Sequence, residues 1–106
     1  MRIASIQKEI HRTAKEKGWW DLPRSDGDCI ALMHSELSEA LEDIRNSKLR
    51  IYFEGDKPTG LPIELADCII RILDYAEKHS INMEDALYAK MKYNETRPYR
   101  HGGKAL

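Results

Sequence analysis

The chain has 106 residues, of which 42% are hydrophobic and 33% charged, and its net charge at pH 7 is -1. This length allows one domain, spanning residues 1–106, and the near-neutral charge argues against long nucleic acids and anionic membranes as partners. No apolar run approaches the ~20 residues that cross a bilayer, the N-terminus is not a secretory signal, and the two cysteines match no disulfide or metal pattern, so we expect a cytoplasmic protein without a membrane segment.

The first half of the chain predicts two helices. The first spans about residues 3–17, where apolar side chains recur at helical spacing, and Gly18 ends it. Paired tryptophans and a proline-containing turn follow. The second helix begins at a cap supplied by Ser25 or Asp26 and runs to about Arg45.

The second half predicts two more helices after a long connection, residues 46–61. Residues 51–53 resemble a strand but have no evident partner, so a packed loop segment is expected rather than a sheet. The third helix spans about residues 62–79 and begins with a proline, and the fourth runs from its cap at residue 82 to about residue 93 or 94. The predicted fold is therefore all-α with four helices, and the tail after them is expected to be mobile without a ligand.

The second helix carries two acidic residues in an unusual position. Its apolar stripe comprises Ile30, Met33, Leu37, Leu41 and Ile44, widened on one side by Cys29, Leu32 and Ala40. Glu36 falls inside this widened arc at about 100° per residue, and Asp43 falls beside the arc. Glu39 flanks Glu36, because residues three apart are neighbours on a helix. Glu36 is thus predicted to face the interior or a partner.

The third helix repeats the arrangement with Glu64 and Asp67, again three residues apart. Like charges are costly to bury together, and a hard divalent cation with oxygen ligands, such as magnesium, removes that cost. Helical bundles can build such sites from facing helices. Spacing alone leaves a second interpretation open, in which Arg71 and lysines neutralise a polar seam.

These residues resemble a known family. The segment Ser35-Glu36-Leu37-Ser38-Glu39, followed by Glu64-Leu65-Ala66-Asp67, is similar to the MazG-type all-α nucleoside triphosphate pyrophosphatases, whose signature is Glu-Glu-x-x-Glu, a spacer and Glu-x-x-Asp. The segments 57–71 and 90–104 also resemble a MazG-like subgroup. One position departs from the signature, because Ser35 stands where a first glutamate is often found.

The resemblance implies a four-helix MazG-like bundle completed by oligomerisation, as a homodimer or homotetramer. It implies magnesium-dependent hydrolysis of a ribo- or deoxyribonucleoside triphosphate to the monophosphate and pyrophosphate, with Mn²⁺ as an alternative ion. The metal ligands would be Glu36, Glu39, Glu64 and Asp67. Glu36 or Glu39 would also act in catalysis by accepting a proton from the attacking water.

Substrate contacts are expected from the C-terminal region and from one tryptophan. Lys90, Asn94 and Arg97 share one face if the fourth helix continues that far, and they could hold phosphates. Arg100 and Lys104 could close over the nucleotide, and Trp19 could stack on its base. The alternatives are a solvated helix end for the cations and a packing role for the tryptophan.

Two questions stay open from the sequence. The same four acids would serve a dUTPase, a dCTPase or a phosphoribosyl-ATP pyrophosphohydrolase, so the base and sugar are not specified. A non-catalytic helical interaction or regulatory module is the alternative from another class. The four histidines have no ligand pairing at helical spacing and are predicted to lie at the surface.

Overall fold

A computed structural model describes residues 2–105, and most of these residues are helical, as predicted. The elements in chain order are α1 (Ile3–Glu16), α2 (Asp26–Arg45), β1 (Tyr52–Glu54), β2 (Lys57–Thr59), α3 (Leu61–Lys78), α4 (Met83–Glu95) and α5 (Arg100–Gly103). No helix in the described residues is both long and apolar enough to cross a membrane.

Local capping interactions fix the ends of the main helices. The Ser25 side chain accepts a hydrogen bond from the Asp28 amide at the start of α2, and Asn82 does the same for the Asp85 amide at the start of α4. α1 has no capping side chain of its own. Instead, the Glu84 carboxylate of α4 accepts a hydrogen bond of 3.1 Å from the Ala4 amide, which ties α4 to α1.

Helix α3 is the centre of the fold, because α2 packs on one side of it and α1 on another. The buried apolar residues are few and mostly small: Cys29, Ala40, Cys68, Leu73 and Ala76. Within the described chain no large side chain is completely buried. A core of this size leaves much apolar surface uncovered.

The uncovered surface includes large apolar side chains of α2 and α3, which are called the apolar stripe below. Its large hydrophobic residues are Ile30, Leu37, Leu41 and Ile44 of α2 with Leu65 and Ile69 of α3, all between 44% and 55% exposed. Its α2 residues belong to the apolar face that the sequence predicted for this helix. In the single chain only one side of α2 is covered, by α3.

A β-hairpin corrects the prediction that the connection contains only a packed loop. Tyr52–Glu54 pairs antiparallel with Lys57–Thr59, with Phe53 opposite Pro58. The second strand gives little sequence signal, because Pro58 cannot donate to a ladder and lysine is a weak strand former. Two strands have only edges, so the proline is tolerated.

Gly60 joins this hairpin to α3 in a conformation that requires glycine. Its φ is +106°, and a Cβ atom there would overlap the backbone carbonyl of Arg50. The Leu61 amide also donates to the Lys48 carbonyl at 2.9 Å. The start of α3, which carries Glu64 and Asp67, is thereby held against the connection.

The prediction that the histidines lie at the surface is wrong for His11. Its ring is buried between α1 and α3, with Nδ1 2.7 Å from an oxygen of Asp74. The Trp20 indole donates to the same carboxylate at 3.0 Å. His11 follows Ile10 and lies four residues after buried Gln7, so it shares the face of α1 that packs on α3.

Candidate metal centre

The structure brings together three of the four predicted metal ligands. One carboxylate oxygen from each of Glu36, Glu64 and Asp67 lies within 4.8 Å of the other two. Glu36 comes from α2 and is buried, whereas Glu64 and Asp67 come from α3 and are half-buried. The packing of α2 against α3 therefore places these acids opposite each other.

Burial and nearby carboxylates disfavour the ionised forms of Glu64 and Asp67. Partial burial, followed by the closeness of Glu39, raises the pKa of Glu64 to about 7. Burial, followed by the charge of Glu36, also raises the pKa of Asp67. Glu39 itself is exposed and lies outside the three-oxygen group, although it is close enough to affect Glu64.

Asp43 adds a fifth carboxylate to this region. Its Oδ2 atom is buried without a hydrogen-bond partner within residues 2–105, and its charge contributes to the raised pKa of Glu64. A buried oxygen of this kind is costly unless something satisfies it. The position was visible in the sequence, because Asp43 lies four residues after Glu39 and seven after Glu36 on the same helix.

Two cations partly offset the negative charge of the cluster. The Arg71 Nε atom donates to Glu36 Oε1 at 2.8 Å. The charge of Lys57, from the hairpin, opposes the rise in the pKa of Asp67. Arg71 follows Asp67 by one helical turn, so the sequence could indicate it, but the approach of Lys57 depends on the hairpin.

The donor set fits a hard divalent cation. All of the converging atoms are carboxylate oxygens, which magnesium and manganese prefer. Oxygens bound to one magnesium ion are at most about 4.2 Å apart, twice the usual bond length, so small side-chain movements would bring the three oxygens within range. Arginine alone does not neutralise the cluster, because it binds a single oxygen of Glu36.

A cavity of about 550 Å³ adjoins the acidic cluster. Its volume is in the usual range for small-molecule sites. The lining residues are Glu9, Ile10, Arg12, Thr13, Ala14 and Lys17 of α1, Trp19 and Arg24 of the following segment, Glu36 of α2, and Asp67, Ile70, Arg71 and Asp74 of α3. The cavity thus joins two candidate metal ligands to several cations and one exposed aromatic ring.

The structure separates the predicted substrate residues into two groups. Trp19 lines the cavity, with the Arg24 guanidinium 5.2 Å from its ring centroid. The α4 and tail residues do not line the cavity: these are Lys90, Asn94, Arg97, Arg100 and Lys104. Lys90 and Arg97 instead approach the Tyr93 ring, at 4.9 and 5.6 Å from its centroid.

Comparison with known proteins found no matching family model, curated protein or solved structure. The function of this chain is therefore inferred from the geometry and chemistry of the site.

Proposed function

We propose that the protein is a magnesium-dependent nucleoside triphosphate pyrophosphohydrolase of the MazG type. The observation that carries this proposal is the convergence of Glu36, Glu64 and Asp67, with oxygens within 4.8 Å, at the wall of a cavity of about 550 Å³. Neither feature alone would suffice, since acidic groups and cavities are both common. Together they offer a place for a cation beside a place for its substrate.

Glu36, Glu64 and Asp67 would hold the metal ions, with Glu39 completing the set from the exposed side. The negative charge of Asp43, which already acts on Glu64, would stabilise the same positive charge. When bound, Mg²⁺ or Mn²⁺ supplies neutralisation of phosphate charge and lowers the pKa of a coordinated water.

The protein's own residues would orient the reaction and take up a proton. Water attacks the α-phosphorus, the bond from that phosphorus to the bridging oxygen breaks, and pyrophosphate leaves with the bonding electrons. Glu39 is the better placed proton acceptor of the two candidates, because it is exposed and lies outside the three-oxygen group, whereas Glu36 is buried and is one of the three converging ligands.

The nucleotide would lie in the cavity with its triphosphate toward Glu36 and Asp67. Trp19, at 56% exposure, presents a ring on which a base could stack, with the Arg24 cation beside it. This placement supports nucleotide binding but does not select a base or sugar. Specificity for dUTP, dCTP or a phosphoribosyl nucleotide is consistent with the same acids.

The apolar stripe on α2 and α3 supports assembly into a homodimer or homotetramer, with the bundle completed by a second copy. Exposed contiguous apolar patches often mark protein interfaces. In the single chain the α4 and tail cations do not line the cavity. Assembly could bring these cations of one copy close to the cavity of another.

The test is a panel of ribo- and deoxyribonucleoside triphosphates and phosphoribosyl-ATP, incubated with magnesium and assayed for pyrophosphate and monophosphate. We expect at least one substrate to yield both products in equal amounts, and chelation of the metal to abolish the reaction. Pyrophosphate that never exceeds the enzyme-free level would favour the non-catalytic interaction module. Inorganic phosphate as the product would assign cleavage to a different bond.

A further inference from the structure

We propose that Arg71 is a ligand for substrate phosphate that is held on Glu36 until Glu36 binds a divalent cation. This inference rests on the proposed function, and it assigns substrate binding to a residue outside the acidic motifs. It makes the arginine an exchange partner of the metal rather than a permanent support for the carboxylate.

The contacts of Arg71 leave most of its guanidinium unused. Nε donates to Glu36 Oε1 at 2.8 Å, and within residues 2–105 this is the only hydrogen bond from the arginine side chain. The Arg71 side chain is 33% exposed, against 10% for Glu36, and it forms part of the cavity wall. The two terminal nitrogens thus remain for a ligand in the cavity.

The same carboxylate cannot satisfy the arginine and a metal ion equally. A cation bound by Glu36 would repel the guanidinium and withdraw electron density from the oxygen that accepts its hydrogen bond. A triphosphate entering the cavity brings the opposite charge, and the planar guanidinium can bind two phosphate oxygens at once. Metal binding should therefore release Arg71 toward the substrate, and the two binding events should favour each other.

A purely supporting role for Arg71 predicts the opposite metal response. If the guanidinium positions Glu36 for the cation, its removal weakens metal binding, since ligand-orienting partners typically contribute 10–100-fold to affinity. If it competes for Glu36, its removal strengthens metal binding. The sign of the change therefore separates the two roles without any measurement of turnover.

The first experiment titrates the metal-free full chain with Mn²⁺, following free Mn²⁺ by electron paramagnetic resonance. We expect Arg71→Gln to bind Mn²⁺ about tenfold more tightly than the parent, because one positive charge near the site is removed. Arg45→Gln is the matched control: it removes an exposed arginine whose only ion pair within residues 2–105 is with Glu42, and Mn²⁺ affinity should not change.

The second experiment measures binding of inorganic triphosphate at saturating Mn²⁺ by calorimetry. This probe isolates the phosphate contact from recognition of the base. We expect Arg71→Gln to weaken triphosphate binding about tenfold or more, as for loss of a charge-assisted hydrogen bond. Arg71→Lys keeps the charge facing Glu36, so its Mn²⁺ affinity should stay near that of the parent while triphosphate binding weakens.

Unchanged or weaker Mn²⁺ binding in a folded Arg71→Gln protein would overturn the exchange. Unchanged triphosphate binding in both variants would overturn the phosphate contact. If Arg71→Gln does not fold, as judged by circular dichroism, Arg71→Lys decides the phosphate contact. Absence of Mn²⁺ binding by the parent chain would instead remove the proposed function and this inference with it.

Discussion

The Asp67 and Glu36 carboxylates lie where ionised groups are poorly hydrated and close to one another. Burial raises the pKa of Asp67, and the charge of Glu36 adds to this effect. Carboxylates placed close together for binding commonly reduce the stability of the metal-free protein. Replacing one of these carboxylates with an uncharged amide should therefore lower activity and raise the stability of the metal-free protein.

Asp67→Asn tests this opposition. We expect the substitution to weaken Mn²⁺ binding and to lower pyrophosphate release by about 100-fold or more, as for removal of a metal ligand. In the absence of metal it should raise the melting temperature, because a repelled, partly buried charge is removed while the shape is kept.

The control for this substitution is Glu42→Gln on the exposed face of α2, where Glu42 pairs only loosely with Arg45 at 3.5 Å. It should leave Mn²⁺ binding, turnover and melting temperature close to those of the parent. Full activity of Asp67→Asn would remove Asp67 from the site.

The acidic residues were predictable because their signal is local, whereas several of their neighbours were not. Helical spacing alone places Glu36 beside Glu39 and Glu64 beside Asp67. Lys57 acts on Asp67 from another element, and nothing near it in the sequence indicates that approach. His11 was assigned to the surface because it has no ligand partner at helical spacing, and its actual partner, Asp74, lies 63 residues away in the chain.

At the scale of elements, the four main helices agree with the sequence because caps and breakers are local too. The hairpin was missed because pairing across Gly55 must be recognised in two short segments at once, and the second contains Pro58. This hairpin has a structural consequence for the site. Its second strand leads through Gly60 directly into α3, the helix that carries Glu64 and Asp67.

Gly60→Ala should destabilise the protein by about 2 kcal/mol or more, since it combines an unfavourable φ with overlap on the Arg50 carbonyl. Thermal unfolding should show this as a fall in melting temperature of about 4–8 °C for each kcal/mol.

Gly55→Ala is the matched comparison for Gly60→Ala. Gly55 also has a positive φ, +62°, but an added Cβ would meet no atom within 4 Å. The cost should be near the backbone term alone, about 1 kcal/mol. Equal costs for the two substitutions would show that contact with Arg50 is unimportant.

At the scale of the whole molecule, the apolar stripe and the α4 cations both raise the question of whether copies of the chain associate. The sequence predicted a wide apolar face on α2, and the structure leaves Leu37 and Leu41 each 48% exposed on it. The sequence also predicted phosphate contacts from Lys90 and Arg97, but in the single chain these two residues do not line the cavity. Such contacts would require a second copy of the chain, and helical periodicity does not encode how two copies pack.

Leu41→Lys should disrupt assembly, because it places a charge within the apolar stripe. Sedimentation velocity should show a dimer or tetramer for the parent chain and a shift toward monomer for the variant. Leu22→Lys is the control, since Leu22 is 77% exposed and lies outside the apolar stripe. An unchanged sedimentation coefficient for Leu41→Lys would exclude this surface as the interface.

In the absence of metal, the acidic cluster should also make the stability of the whole molecule depend on pH. The pKa of Glu64 is about 7 in the folded protein and 4.5 as an ordinary glutamate, so between these values the folded state holds a proton that the unfolded state releases. Its contribution to stability is complete below about pH 4.5 and is lost as the pH rises through about 7.

Urea unfolding of the metal-free chain from about pH 5 to about pH 8 should therefore show a falling free energy of unfolding, and Glu64→Gln should flatten this decrease because its amide cannot titrate. Comparing the two proteins at each pH cancels the other titrating groups. Magnesium should restore stability to the parent near pH 8, since a bound cation replaces the lost proton and binds only the folded state. Parallel curves for parent and variant would mean that Glu64 is not the group responsible.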